Sequence, residues 1–306
     1  MRISVTDQCN LRCTYCTPCC GLDLYRDDEK LSSEQIVRLG RIFAGLGVTR
    51  VRFTGGEPLL RKDILSLVAA FKNIPGIEQV HLTTNGILLG KMAAGLKQAG
   101  LDGLNVSLDT LVKERFKALT GFDGLSDVLT GIALAQKTGF ENIKVNAVIM
   151  AGKNDDEIFD LIGFFKQHNL IGRFIEFMAI TPLWDEQLYF SIERIQALCR
   201  SRYIVEPSLF RSLGPAEYYS LDQTQPIGFI HTVVENCQQC SRLRLSASGK
   251  LKICLYEEQG LSLKPLLSEM TDSELAVCIS ERIKEKNKID HQFFKNRQIY
   301  MSQIGG

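Results

Sequence analysis

The hydrophobic and polar positions of the chain follow two alternating periods over its first 200 residues. Short apolar segments of strand character are each followed by a longer segment whose apolar residues recur every three to four positions, as in an amphipathic helix. In the first helical segment, Ser32 or Ser33 can cap the start. The apolar face of that segment consists of Ile36, Leu39, Ile42, Phe43 and Leu46.

This pattern predicts about six successive β–α units, which are typical of a parallel sheet with helical crossovers. The predicted strands are 3–6, 50–56, 79–86, 103–110, 143–150 and 172–180. The predicted helices are 32–47, 63–74, 89–100, 126–139, 155–169 and 191–201. Polar residues such as Glu57, Thr83, Ser107 and Glu176 come at or after the strand ends. Because the carboxyl ends of parallel strands meet at one edge of a sheet, we expect these side chains to face one another.

The alternation stops near residue 200, and the pattern stays weak to about residue 235. The following segment, CQQCSRLRLSASGKLKICLY, predicts a β-hairpin that turns at Ala247–Lys250. A helix rich in Glu and Lys comes next. We therefore divide the chain into an α/β region, 1–200, and a C-terminal region, 201–306.

Charge and composition narrow the class of protein. The chain has 306 residues and a formal net charge of +1, which gives no reason to expect a nucleic-acid partner. No apolar run approaches the length of a membrane span, and the start MRISVTDQCN lacks the apolar core of a signal peptide. We expect a cytoplasmic protein. In that reducing compartment the ten cysteines predict metal ligands or redox groups rather than disulfides.

Half of the cysteines lie in the segment CNLRCTYCTPCC, which starts at Cys9. Cys9, Cys13 and Cys16 are spaced so that a short loop can turn three thiolates toward one point. Three ligands leave one iron of an iron–sulfur cluster open, as metal catalysis requires. Zinc stays an alternative, with Cys19 or Cys20 as its fourth ligand.

The segment CNLRCTYC, together with FTGGEP at a strand end, resembles the radical S-adenosylmethionine (SAM) superfamily. The resemblance implies that Cys9, Cys13 and Cys16 hold a [4Fe–4S] cluster whose open iron binds SAM. One electron from the cluster would cleave SAM and yield a 5′-deoxyadenosyl radical. The three cysteines would thus be the catalytic metal ligands.

A second group of cysteines is spaced Cys237-x2-Cys240-x13-Cys254. Along a strand, Cys240, Arg242 and Arg244 share one face, and a turn near residue 248 places Cys254 roughly opposite Arg242. Arginines beside a metal site suit a phosphate or a purine edge. A structural zinc site, with His231 as the nearest fourth ligand, stays open as an alternative.

Motifs along the whole chain resemble the GTP 3′,8-cyclase family, which begins molybdenum cofactor biosynthesis. They are RISVTDQCNLRCTYC, RFTGGEPLLRKD, TTNG, NVSLDT, VNAVIM, RFIEFM, CSRLRLSASGKLKICLY and a terminal Gly-Gly. The resemblance implies a partial (β/α)6 TIM-like barrel and a C-terminal hairpin region with a second Fe–S site. It also implies a lyase that abstracts H-3′ of GTP, joins C3′ to C8 and forms (8S)-3′,8-cyclo-7,8-dihydroguanosine 5′-triphosphate.

The family's site residues carry over by motif position. The implied cofactors are SAM and two [4Fe–4S] clusters, the second on Cys237, Cys240 and Cys254. The implied SAM contacts are Tyr15, Gly56, Ser107 and Met178. The implied GTP contacts are Arg2, Arg52, Thr83, Lys144, Arg173, Arg242, Leu243 and Arg244. The family also places a basic residue at the position of Arg50, and its glycine-ended tail, here Gly305-Gly306, enters the active site.

The basic residues support a polyanionic ligand independently of the resemblance. Arg52, Lys144 and Arg173 all lie on predicted strands, where a charge is costly unless it is paired. A triphosphate would be a suitable counterion. The alternative is an internal salt bridge to one of three acidic residues, Glu57, Asp109 or Glu176.

Two other functions compete with the cyclase. One is a different radical SAM enzyme with an auxiliary cluster, such as a peptide-modifying one. The other is a zinc protein without enzymatic activity. For the cyclase we expect an electron donor such as flavodoxin or ferredoxin, and cyclic pyranopterin monophosphate synthase as the next enzyme. We expect no membrane partner, and a monomer or homodimer. Cys19 and Cys20 depart from the family pattern.

Overall fold

A computed structural model of the protein describes residues 1–17, 25–212, 214–224, 226–231, 240–257 and 259–288. The strands are β1 (Arg2–Ser4), β2 (Arg50–Thr54), β3 (Gln79–Thr84), β4 (Gly103–Ser107), β5 (Lys144–Ile149), β6 (Ile171–Glu176), β7 (Val205–Pro207), β8 (Glu217–Leu221), β9 (Pro226–Ile230), β10 (Arg244–Leu245), β11 (Lys250–Lys252) and β12 (Leu261–Ser262). The helices are α1 (Ser33–Gly45), α2 (Ile64–Lys72), α3 (Leu89–Gln98), α4 (Lys113–Thr120), α5 (Leu125–Lys137), α6 (Ile158–Gln167), α7 (Ile192–Arg202), α8 (Leu266–Glu269) and α9 (Asp272–Lys284).

These strands form one sheet in the order β12-β11-β10-β1-β2-β3-β4-β5-β6-β9-β8-β7. Strands β1 to β6 are parallel to their neighbours, as predicted. Strands β10 and β9 extend this parallel section at its two ends. Since the sheet stays open and helices connect its strands, the predicted partial (β/α)6 TIM-like barrel is confirmed.

The alternation of side chains along each strand separates the hydrophobic core from an interior cavity. In β3, Val80 and Leu82 are buried in the core, whereas Gln79, His81 and Thr83 line the cavity. The helices cover the core side of the sheet. The cavity side is therefore available for polar groups that a ligand can use.

Helix α1 begins at the cap that the sequence predicts. Ser32 accepts a hydrogen bond from the amide of Gln35, and the Gln35 side chain accepts one from the Ser32 amide at 3.0 Å. This capping box satisfies backbone donors that the helix start leaves unpaired. The predicted face packs in the core through Ile36, Leu39 and Phe43.

Several elements were not predicted, namely α4, α8, β7, β8, β9 and β12. Helix α4 precedes α5, and Gly121 caps its carboxyl end in a left-handed conformation, φ 72°. Strand β9 lies in the weakly patterned segment, yet it pairs with β6 so that Gly228 is level with Arg173. A Cβ on Gly228 would lie 2.9 Å from Cγ of Arg173. The glycine thus leaves room for an arginine inside the barrel, a relation between distant residues that no local pattern indicates.

The predicted hairpin is confirmed, since β10 and β11 pair antiparallel with Arg244 opposite Lys252. The division of the chain at residue 200 stays a prediction. Among the described residues no single helix is long and apolar enough to cross a membrane. The pair α4 and α5 reaches that length only together and bends by 101°.

Candidate active site

A cavity of about 1440 Å³ runs through the barrel, and residues from both the amino and the carboxyl ends of the strands line it. Cys9, Cys13 and Cys16 line it. So do most of the residues predicted to contact SAM or GTP, namely Arg2, Tyr15, Arg52, Gly56, Thr83, Ser107, Lys144, Arg173, Met178, Arg242 and Arg244. The barrel therefore gathers residues from both ends of the chain in one space.

Leu243 differs from the other predicted contacts. Its side chain is 6% exposed and packs in the core rather than lining the cavity. Its carbonyl accepts a hydrogen bond of 2.8 Å from the amide of Arg2. Leu243 thus holds β10 against β1 and fixes the position of the arginines on either side of it. Cys237, Cys19, Cys20 and Gly305-Gly306 lie outside the described residues.

Backbone hydrogen bonds fix the loop that carries the first three cysteines. The amide of Arg12 donates to the carbonyl of Thr120 at 2.7 Å, and the amide of Thr14 donates to that of Leu119 at 2.9 Å. Both acceptors belong to the last turn of α4, whose final carbonyls have no partner within the helix. The unpredicted helix α4 therefore anchors the cysteine loop.

The Gly-Gly turn after β2 supports the same loop from the other side. The amide of Gly56 donates to the carbonyl of Thr6, and the amide of Glu57 donates to that of Gln8, both at 2.7 Å. A Cβ on Gly56 would lie 2.2 Å from the Gln8 carbonyl oxygen. Glycine is required here because two backbone segments approach more closely than any side chain allows.

We expect Gly56→Ala to lower the free energy of unfolding by about 2 kcal/mol, since the added methyl group forces the two segments apart. Urea unfolding followed by circular dichroism measures this. Gly45→Ala is the matched control, because a Cβ at Gly45 meets nothing within 4 Å. That variant should gain about 0.5 kcal/mol from its place in a helix. Equal stabilities of the two variants would contradict the close approach.

Three thiols line this loop, and burial favours the protonated form of two of them, Cys9 and Cys13, so a bound metal must displace their protons. None of the three forms a disulfide within the described structure. Burial raises the pKa of Cys9, and it raises that of Cys13 well above its usual value, helped by the neighbouring Cys16 and Asp109. The Cys9 sulfur accepts from the Leu11 amide at 3.4 Å and from Asn85 Nδ2 at 3.7 Å. Clustered thiols with N–H donors suit a soft metal or an iron–sulfur cluster.

Tyr15 and Asp109 join the cysteine loop to the barrel. The Tyr15 hydroxyl donates to Asp109 Oδ2 at 2.5 Å, and Asp109 Oδ1 accepts from the Val148 amide at 2.8 Å. Burial raises the pKa of Asp109 to about 6, although both hydrogen bonds oppose this. The sequence indicated Asp109 only as a possible salt-bridge partner of the barrel cations. The link to Tyr15 joins residues 94 positions apart, so no local signal predicts it.

Three of the cations inside the barrel have no acidic partner in the part of the chain that the structure describes. Across the described ranges no ion pair involves Arg52, Lys144 or Arg173. Arg52 Nη1 is buried without a hydrogen-bond partner, and so is Nε of Arg50. Burial, with repulsion from Arg173, lowers the pKa of Arg52 to about 10. Burial and repulsion from Arg173 and Arg52 lower the pKa of Lys144 to about 8.

Two of the acidic residues considered as internal partners are occupied elsewhere. Glu57 accepts from Thr84 Oγ1 and from the Asn85 amide, both at 2.7 Å. Asp109 is bound by Tyr15, as described above. These cations therefore form a cluster that a polyanion would stabilise.

The described members of the second cysteine group, Cys240 and Cys254, lie beside arginines that line the same cavity. Arg242 Nε donates to the Cys240 sulfur at 3.2 Å, which confirms their shared face. Burial raises the pKa of Cys240, but Arg242 and Lys286 reverse this and lower it overall. Burial and repulsion from Arg242 lower the pKa of Arg244 to about 10, whereas Cys240 and Cys254 oppose that change. The hairpin thus places Cys240 and Cys254 beside the two arginines.

Comparisons with known proteins identify the family. Residues 3–165 match the Radical SAM superfamily, and residues 171–292 match Molybdenum Cofactor Synthesis C. GTP 3′,8-cyclase of Limosilactobacillus fermentum is 40% identical over all of this chain and 96% of that protein. The chain belongs to the GTP 3′,8-cyclase family of radical SAM enzymes. The cyclases of Heliobacterium modesticaldum and of Listeria monocytogenes serovar 1/2a are 42% and 39% identical over the whole chain and 97% and 96% of those proteins.

Solved structures agree on the fold of this GTP 3′,8-cyclase family member. Streptococcus suis SuiB bound to S-adenosylmethionine matches 65% of this chain and 46% of its own, with a TM-score of 0.56 and 19% identity. A histidine-tagged anSMEcpe with bound AdoMet matches 65% and 56%, with a TM-score of 0.52 and 18% identity. At this identity the likeness shows the radical SAM fold alone.

Proposed function

We propose that the protein is a GTP 3′,8-cyclase that converts GTP into (8S)-3′,8-cyclo-7,8-dihydroguanosine 5′-triphosphate, the first step of molybdenum cofactor biosynthesis. One cavity carries the proposal, because its wall combines three cysteine thiols with Arg52, Lys144 and Arg173. The thiols suit a soft metal cofactor, and the cations suit a polyphosphate. Membership of the family supports the same reaction.

In this proposal Cys9, Cys13 and Cys16 hold a [4Fe–4S] cluster. When bound, the cluster supplies the electron that cleaves SAM into methionine and a 5′-deoxyadenosyl radical. The proposed SAM contacts on the cavity wall are Tyr15, Gly56, Ser107 and Met178. The missing Cβ of Gly56 lets the cysteine loop pack against this turn, and Asp109 holds Tyr15 in place.

GTP would lie along the barrel interior. Arg52, Lys144 and Arg173, with Arg2 and Thr83, would bind the triphosphate by charge and hydrogen bonding. Arg242, Leu243 and Arg244 are the proposed GTP contacts on the hairpin. They would lie beside a second [4Fe–4S] cluster on Cys237, Cys240 and Cys254. Arg242 and Arg244 would orient the guanine near this group, and Leu243 would act through its backbone.

The reaction also needs partners. A reductant such as flavodoxin or ferredoxin supplies electrons, and cyclic pyranopterin monophosphate synthase takes up the product. We place the reaction in the cytoplasm, where a reducing environment preserves the thiols. The enzyme acts as a monomer or homodimer.

An anaerobic assay tests the proposal. The protein is reconstituted with iron and sulfide, reduced, and given SAM with or without GTP. Mass spectrometry then measures 5′-deoxyadenosine and the cyclised nucleotide. We expect both products only when GTP is present. Deoxyadenosine formation that ignores GTP would favour the peptide-modifying alternative. A colourless protein that binds zinc and no SAM would favour the non-enzymatic one.

A further inference from the structure

His81 lies within the proposed triphosphate region, although no family motif draws attention to it. It stands on β3 between Gln79 and Thr83, and its side chain faces the cavity. In the sheet it pairs with Arg52 on β2 and with Gly103 on β4. A Cβ on Gly103 would lie 2.5 Å from Nδ1 of the ring. The glycine on the next strand thus makes room for an imidazole inside the barrel.

The charged groups that face His81 are mostly cations. They are Arg50 and Arg52 on β2 and Lys144 on β5, and the acidic residue beside them is Asp102, which precedes β4. Burial is the largest of the effects that lower the pKa of His81 to about 4, and the positive charges of Arg52 and Lys144 lower it further. The imidazole is therefore neutral in the absence of ligand at physiological pH.

Asp102 contributes little compensating charge. Its carboxylate accepts from Lys72 Nζ at 2.9 Å and from the Val80 amide at 2.6 Å, so Lys72 already compensates its charge. On the cavity side, Nε2 of His81 lies 3.2 Å from Oε1 of Gln79. The side chains of His81 and Gln79 both line the cavity, where a bound polyanion would contact them.

We propose that His81 is a further triphosphate-binding residue and that it takes up a proton when the nucleotide binds. The inference rests on the proposed function. A polyanion placed among Arg50, Arg52 and Lys144 reverses the field at the imidazole from repulsive to attractive. Protonation then makes both ring nitrogens donors and adds one positive charge to the site. Affinity for the triphosphate accordingly rises as pH falls, because the bound state holds more protons than the unbound state.

Calorimetric titration of GTP into the anaerobically reconstituted protein tests this. Measurements at about pH 6 in two buffers of different ionisation enthalpy give the number of protons taken up per GTP. The native protein should take up nearly one proton more than His81→Gln, whose amide keeps polarity and similar size but does not titrate. GTP affinity should be about tenfold lower in His81→Gln at pH 6, and the difference should shrink toward pH 8. Lys144 and the phosphates titrate in both proteins, so their contribution to proton uptake cancels in the difference between the native protein and His81→Gln.

His168→Gln is the matched control, because His168 is exposed at the end of α6 and packs on Phe164 outside the cavity. It should match the native protein in proton uptake and affinity. Guanosine, which lacks phosphates, is the second probe and should bind without the extra proton. Equal proton uptake by the native protein and His81→Gln, or equal uptake with guanosine and GTP, would overturn the role of His81. If cyclised product still forms in that case, the proposed function stands. A native protein that fails to bind GTP would overturn both.

Discussion

Replacing Cys13 by alanine is expected to abolish 5′-deoxyadenosine formation and to remove about half of the iron that the reconstituted protein binds. Cys13 is the central ligand of the proposed first cluster. It lies in a turn in which its carbonyl accepts from the amides of Cys16 and Thr17, at 2.9 and 3.0 Å. Those backbone contacts persist without the thiol. The loop should therefore keep its shape while the cluster loses a ligand.

Iron and sulfide analysis, the visible absorption spectrum and deoxyadenosine measurement check the prediction together. Cys278→Ala is the control, since Cys278 lies on α9 and belongs to neither cysteine group. It should retain full iron content and full activity. A Cys13→Ala protein that still produces deoxyadenosine at the native rate would rule out the assignment of this loop as the first cluster site.

Replacing Arg52 by methionine should weaken GTP binding and yet stabilise the ligand-free protein. Hydrogen bonds from a cation to phosphate contribute about 1.5–3 kcal/mol each, so the affinity should fall about 100-fold. In the absence of ligand, Arg52 Nη1 is buried without a partner and repels Arg173. Removing it should raise the free energy of unfolding by about 1 kcal/mol, because a buried unpaired charge is lost. Calorimetry with GTP and urea unfolding measure the two effects.

Arg38→Met provides the opposite case. Arg38 Nε donates to Asp272 at 2.7 Å, and Nη2 donates to the Met270 carbonyl at 2.8 Å. Its loss should destabilise the protein by about 1 kcal/mol and leave GTP affinity unchanged. Destabilisation by Arg52→Met of the same size as by Arg38→Met would mean that Arg52 has a structural partner rather than a ligand.

Much of the architecture was predictable because its signals are local. Periodicity located β1 to β6 and most of the helices, and Ser32 was identified as a possible cap of α1. The hairpin turn at Ala247–Lys250 even gave the register that brings Cys254 near Arg242, since Arg244 pairs with Lys252. What escaped prediction depends on distant contacts. Strand β9 is recognisable only through its pairing with β6, and α4 only as the anchor of the cysteine loop.

The sequence by itself determined the family, the parallel barrel and the residue types of the site, because spacing within a loop and period within a strand are properties of neighbouring residues. The tertiary structure decided which of these residues share one space and which charges are compensated. In the folded protein the side chain of Leu243 lies in the core, and Glu57 and Asp109 accept hydrogen bonds from other residues. Cations lie around His81. Those outcomes depend on burial and on the field of groups far apart in the chain, and a linear pattern carries neither.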